Sequence, residues 1–367
     1  MKILIGGDFC PENRAEKILG DGENIFSEEY KKIWNTTDFR ILNLEGPITN
    51  SNSKNDKVGR CIKFDPRVME GIKKMRITHF SLANNHIMDY GEQGIEDTIK
   101  YLKESKIDFF GCHGQKKSIL EKNDIKVVVL SFSNKEFSGM EVNNGVGACS
   151  IDLITMLQQV EIAKKITDHI IVILHTGLAL YPLPSPEQKR LCRFLIDNGV
   201  SAVLCQHSHI MGAYENYKEG FISYGQGSFV FELGRKNTVW NKGYSILFDF
   251  KKDGRSINII PHKQFDESLN ICTLTQIELD EFHSSMDKLN QSLCNDDEFS
   301  KAWELYLNKV EKYYFNQFFL PKNRVIRRIL NLINFKIFFS KSKRNIVLSN
   351  LRNDEHAEVI KEILLKG

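Results

Sequence analysis

The strongest constraint on this chain is a series of short, β-branched runs, each of which stops at a polar residue. KILIG (2–6), RILNLEG (40–46), ITHFSLAN (77–84), VVVLSF (127–132), HIIVILH (169–175) and VSAVLCQH (200–207) are dominated by apolar residues. Runs of this length and composition read as buried strands. Between them, PRVMEGIKKM (66–75), EQGIEDTIKYLKES (92–105), residues 151–167 and residues 186–198 carry apolar residues at helical spacing. Asp65 before Pro66 and Ser185 before Pro186 are start signals, and Gly199 is a stop. Such alternation predicts an α/β fold with a largely parallel sheet covered on both faces.

After residue 210 the pattern changes. FISYGQGSFVFEL (221–233) and GYSILFDFKKDGRSINIIPH (243–262) read as antiparallel strands, the latter turning at Asp253-Gly254. From about residue 275 the sequence is helical in pattern and polar in composition. The expected organisation is an α/β domain at 1–265 and a helical, basic C-terminal extension at 266–367.

Composition narrows the setting. The net charge is only +3 over 367 residues, yet residues 321–350 hold 8 basic residues and no acidic one. The opening run MKILIGGDF is interrupted too early for a secretory signal. No stretch reaches the roughly 20 apolar residues needed to span a bilayer. Eight cysteines without a CxxC pair argue against a disulfide framework or a structural zinc site. The expectation is a cytoplasmic protein with reduced thiols.

The chemistry emerges when the strand ends are taken together. They carry Gly6-Gly7-Asp8, Asn43-Leu44-Glu45, Asn84-Asn85-His86, His175-Thr176-Gly177 and His207-Ser208-His209. Ligands of open α/β sheets bind beyond the carboxyl ends of the strands, so these groups should converge. Asp8 or Glu45 alone would be a turn or helix-entry carboxylate, and His175 alone a packed core histidine. In an extended segment, His207 and His209 would share a face. Mixed oxygen and imidazole donors suit divalent Mn, Zn or Fe. Two such ions sharing a carboxylate would activate water and stabilise a displacement at phosphorus.

GGD (6–8), NLEGPIT (43–49), ANNHIMDYGEQGIEDT (83–98), LHTG (174–177), VLCQHSHI (203–210) and YGQGSFVF (224–231) together resemble the CapA family of capsule and poly-γ-glutamate synthesis proteins. That resemblance implies a calcineurin-like metallophosphatase fold, an α+β sandwich. It implies Asp8, Glu45, Asn85, His175, His207 and His209 as ligands for one or two divalent metal ions, with Asp8 or Glu45 bridging. His86 would act on the substrate as a catalytic residue, with Asp89 holding its imidazole. Asn84, Gln206 and Ser228 would lie at the substrate, Asn84 also supporting the turn. The chain departs from the family's pattern at Cys10, where the wider superfamily often has histidine, and at Ala179, where a glutamate is expected.

The implied function is metal-dependent hydrolysis of a phosphoester or related bond in capsule or cell-envelope polymer synthesis. Two alternatives stay open: an amide hydrolase acting on γ-glutamyl polymer, and a non-catalytic accessory subunit of a polymer synthase. The implied partner is a small-molecule or polyanionic polymer substrate. Residues 322–344, with Arg324, Arg327, Arg328, Lys336, Lys341, Lys343 and Arg344, form a basic amphipathic stretch. It would either pack on the protein or lie on an anionic membrane surface. Nucleic acid is not expected, because no recognised binding motif accompanies the charge.

Overall fold

The computed structural model describes residues 1–319 apart from 58, 136, 141, 142, 168, 233–239, 253 and 266–268. The basic segment 322–344 and Asp253 of the expected turn lie outside the described residues. In chain order the first elements are β1 (Lys2–Cys10), α1 (Arg14–Gly20), α2 (Glu28–Asn35), β2 (Phe39–Leu44), α3 (Met69–Met75), β3 (His79–Ser81) and α4 (Gly91–Glu104). There follow β4 (Asp108–Phe110), β5 (Lys117–Lys122), β6 (Ile125–Ser133), α5 (Leu153–Lys164), β7 (Ile170–His175), α6 (Pro186–Asp197) and β8 (Ala202–Gln206). The last are β9 (Tyr214–Tyr217), β10 (Gly220–Ser223), β11 (Ser228–Phe231), β12 (Lys242–Lys251), β13 (Gly254–Gln264), β14 (Ile271–Thr273), α7 (Gln276–Cys294) and α8 (Asp296–Phe319).

These strands form two sheets, not the single one that the alternation suggested. One runs β14-β13-β12-β1-β2-β3-β4 with β11 also paired to β1; the other runs β5-β6-β7-β8-β10-β9. In both, the inner strands that succeed one another through helices are parallel; hairpin-linked strands at the sides are antiparallel, as is β12 against β1. The two-residue side-chain period explains why two sheets pack face to face. Ile3 and Ile5 of β1 and Ile41 of β2 share one buried cluster with Val127, Val129, Ile171, Ile173, Ala202 and Leu204 of the second sheet. Leu4, Leu42 and Leu44, one residue out of phase, join the opposite cluster with Leu19, Trp34, Ile72 and Ile95 from the helices. Each such side chain, removed from water, contributes about 1.5–3 kcal/mol. The result is the α+β sandwich that the resemblance implied.

FISYGQGSFVFEL is not one strand. Tyr224–Gly227 break it, so that β10 pairs with β8 in the second sheet and β11 with β1 in the first. The expected start at Ser185 holds, its hydroxyl accepting from the Gln188 amide at 3.1 Å, whereas Asp65 accepts from the Arg67 amide to start a 3-10 turn, Pro66–Val68, that leads into α3. The hairpin of β12 and β13 also forms, pairing Lys251 with Gly254.

Two compact units meet in sequence between Phe299 and Ser300. The first therefore extends past residue 265. It gains β14 on the sheet edge and α7, whose start is fixed by reciprocal bonds between Thr275 and Glu278. Phe282 and Met286 of α7 enter the cluster between the sheets. In the second unit, α8 continues to Phe319, with Trp303 stacked on Tyr306. Among the described residues, no helix is long and apolar enough to cross a membrane.

Candidate metal centre

Strand ends from both sheets meet at one place. Asp8 sits on β1, where the register slips between Ile5 and Asp8 against β2 and again after Asp8 against β11. Irregularities of this kind re-aim side chains. Gly7 is required there, since a Cβ would lie 1.9 Å from the Gly227 carbonyl oxygen. Glu45 directly follows β2, and Asn85 lies in the turn after β3. His175 ends β7, while His207 and His209 follow β8.

The ligand atoms fall into two sets that share one residue. Glu45, His175 and His207 place donor atoms within 4.8 Å of one another, and so do Asp8, Glu45 and His209. Asn85 joins the first set, its Oδ1 3.0 Å from His175 Nε2, which in turn lies 3.1 Å from His207 Nδ1. In the second, His209 Nδ1 is 3.2 Å from Asp8 Oδ2. Of the two carboxylates expected to bridge, Glu45 is the one common to both sets.

His207 and His209 converge by a different route from the extended one expected. Both lie beyond the end of β8 with positive φ, 92° and 57°. That conformation costs non-glycine residues on the order of 1–3 kcal/mol and is tolerated where neighbours impose it. Here the His207 amide donates to Asp8 Oδ2 at 3.2 Å, and Trp240 stacks on His209 at 4.4 Å between ring centroids.

Electrostatics favour a cation in this cluster. Both oxygens of Glu45 are buried and have no hydrogen-bond partner, and His209 Nδ1 is buried without hydrogen-bond geometry to its neighbour. Burial drives the Glu45 carboxyl well above the usual range, and the charges of Asp8, Glu12 and Asp89 add to the rise. Asp8 goes the other way. Burial alone would raise it, but the contact with His209 and the charges of His175 and His209 carry it below the ordinary carboxylate range. Burial also depresses His175, and takes His207 down to about 4. Imidazoles at His175 and His207 whose protonated forms burial disfavours, an acidic Asp8 and a buried glutamate without hydrogen-bond partners are what divalent ions bind. The residues fit the metal that the resemblance implied.

His86 lies beside these groups and is partly exposed. Its Nδ1 is 2.7 Å from Asp89 Oδ2, the arrangement in which a carboxylate orients an imidazole. Asn85, His86 and His207 are the incompletely buried members, which marks the side from which solvent reaches the cluster.

The three residues expected at the substrate are placed in the scaffold. Asn84 is fully buried and donates to Asn43 Oδ1 and the Leu44 carbonyl while accepting from the His86 amide. Gln206 donates to the Gly6 carbonyl at 2.9 Å and to Gln226 Oε1 at 3.0 Å, stitching one sheet to the other. Ser228 is buried as the register partner of Asp8, its hydroxyl without a partner. Cys10 is buried at the end of β1. Burial raises its thiol well above the ordinary value, and Glu12 and Glu45 raise it further. Ala179 is exposed.

Sequence reasoning placed Asn43 at a converging strand end but gave it no role, and it missed Trp240 and Lys57. Asn43 donates to Asp8 Oδ1 at 2.9 Å and lies 3.2 Å from His175 Nδ1. Its place two residues before Glu45, hence on the same strand face, was the signal for it. Nothing in the sequence marked the other two.

An α/β sandwich whose two sheets pool their strand ends into a buried, cation-ready cluster is the class that fold and site define. The chain belongs to the bacterial capsule synthesis protein PGA_cap family, whose pattern matches residues 2–233. The capsule biosynthesis protein CapA of Bacillus anthracis is 29% identical over 252 residues, covering 65% of this chain and 61% of that protein. The PGA biosynthesis protein CapA of Bacillus subtilis (strain 168) is 26% identical over 257 residues, covering 68% and 67%. The match thus spans about three fifths of the Bacillus anthracis relative. Among solved structures, a putative 5'-nucleotidase from Staphylococcus aureus is similar at 13% identity and a TM-score of 0.46, covering 80% of this chain and 58% of that one.

Proposed function

We propose that this protein is a divalent-metal-dependent hydrolase that cleaves a phosphoester or related bond during synthesis of a capsule or polyglutamate polymer. The polymer setting rests on family membership and on the names of the Bacillus relatives. The chemistry rests on one observation: the two partnerless, buried oxygens of Glu45, flanked by two sets of donors. An isolated buried carboxylate is costly, and cations held by the flanking donors would offset that cost.

Asp8, Glu45 and His209 would hold one ion, and Glu45, Asn85, His175 and His207 the other. Bound ions would supply Lewis-acid polarisation of a phosphoryl oxygen and activation of water. The protein's own groups supply the rest. His86, its Nδ1 held by Asp89, would donate to the departing oxygen from Nε2 as the imidazolium. Asn43 fixes Asp8 against the pull of the neighbouring imidazoles. The apolar cores behind the strands keep the ligands from relaxing apart.

The test is turnover by purified protein loaded with Mn2+, offered an aryl phosphate and, separately, a γ-glutamyl anilide. Phosphate release lost in Glu45→Gln and His86→Ala supports the reading. Cleavage of the anilide alone would assign amide hydrolysis. Cleavage of neither, with metal bound, would assign an accessory role.

A further inference from the structure

Among the described residues from Ser51 to Lys63, which are mostly polar, none lies in a helix or strand, and about half are exposed. One side chain of this segment turns inward. The Lys57 side chain is 4% exposed and that of Asp89, its partner, 1%. An ammonium taken out of water must be compensated, and here the compensation falls on the segment that carries Asn85 and His86.

We infer that Lys57 is the positioning residue that locks Asn85 and His86 at the centre, an inference that rests on the hydrolase reading for His86 but not for Asn85. The ammonium donates to Asp89 Oδ1 and, at 3.1 Å, to the backbone carbonyl of Asn85. It also lies 3.3 Å from His86 Nδ1. Asp89 divides its oxygens: one takes Lys57, the other takes His86 Nδ1 at 2.7 Å and the Ile62 amide at 2.6 Å. The Asn55 amide, on the other side of Lys57 in the loop, donates to the Asp89 carbonyl at 2.8 Å. One cation therefore ties a metal-facing carboxamide, through its own carbonyl, to the carboxylate that orients the proton donor.

Lys57 does not act on substrate itself. Its side chain is withdrawn from solvent, and its partners belong to the protein. Without the ammonium, Asp89 would be a buried charge with one imidazole and one amide to answer it, and the Asn85 carbonyl would lose its donor. Asn85 would then drift from its place beside His175.

The test uses the full chain as wild type, Lys57→Met, Lys57→Gln and Lys57→Arg, with Mn2+ affinity by calorimetry and turnover of an aryl phosphate as separate readouts. Lys57→Met should weaken Mn2+ binding by about 10–100-fold, as loss of groups behind metal ligands does. It should lower kcat with KM little changed. Lys57→Arg should recover most of both. In Asn85→Ala, adding Lys57→Met should cost little further metal affinity, because the same ligand is already gone. If Lys57→Met does not fold, Lys57→Gln carries the test, since it keeps a donor without the charge. Unchanged Mn2+ affinity in whichever of these folds overturns the inference. Weakened affinity alongside a wild type that turns over no phosphoester supports Lys57 and overturns the hydrolase reading alone.

Discussion

Asn85 Oδ1 lies 3.0 Å from His175 Nε2, and that contact joins the end of β3 in one sheet to the end of β7 in the other. The centre depends on the sandwich for its geometry, because neither sheet alone supplies a complete ligand set. Loosening the contact between sheets should therefore weaken cation binding before it unfolds the protein.

Glu45 yields a prediction with opposite signs in two conditions. At pH 8 without metal, Glu45→Gln should stabilise the protein by on the order of 1–3 kcal/mol, because it removes a buried carboxyl that has no hydrogen-bond partner. With Mn2+ the order should reverse, since only the wild type gains from binding. Urea unfolding with and without Mn2+ measures both; a destabilised, metal-free Glu45→Gln would contradict the electrostatic reading.

Asn43 holds Asp8 and faces His175, and it accepts from Asn84. Asn43→Ala should reduce Mn2+ affinity about 10–100-fold. It should also cost about 1–3 kcal/mol of stability through the polar groups left unpaired. Calorimetric titration and urea unfolding give the two numbers independently.

Trp240 stacks on His209, so it should report occupancy. Binding of paramagnetic Co2+ should quench fluorescence in the wild type, and Trp240→Phe should remove most of that response, leaving Trp34 and Trp303. An equal quench in the variant would place the ion away from His209.

His262 gives a pH dependence outside the centre. It is fully buried against Tyr30 and Phe229, and burial lowers its folded-state pKa from 6.5 to about 4. The folded protein thus resists a proton that the unfolded chain accepts. This contribution to stability is whole above pH 6.5 and is lost as pH falls toward 4. At full extent it is on the order of 3 kcal/mol. His262→Phe should flatten the decline between pH 6.5 and 4 in urea midpoints taken across that range.

Much of this was legible in the sequence, and the remainder was hidden for identifiable reasons. Strand ends at Glu45, Asn85, His175 and His207 could be read because short apolar runs stop abruptly at polar residues; Asp8 looked like another, but β1 continues through it to Cys10. The division into two sheets could not, since a run such as Val127–Leu130 looks the same whichever sheet receives it. FISYGQGSFVFEL looked continuous because β-propensity does not register that the chain crosses from one sheet to the other at Gly225–Gly227. His207 and His209 were expected to converge by strand periodicity, and they do so through left-handed backbone that only their surroundings impose. The polar composition of α7 hid Phe282 and Met286, whose spacing of four is the mark of a helix seated on a core. Lys57 sits in a loop of like residues, and nothing local says which lysine turns inward.

The most direct measurement is anomalous diffraction from crystals of the full chain grown with Mn2+. The expected result is two peaks flanking the Glu45 carboxylate, one beside Asp8 and His209 and the other beside Asn85, His175 and His207. A map with no peak within bonding distance of Glu45, at saturating Mn2+, would contradict it.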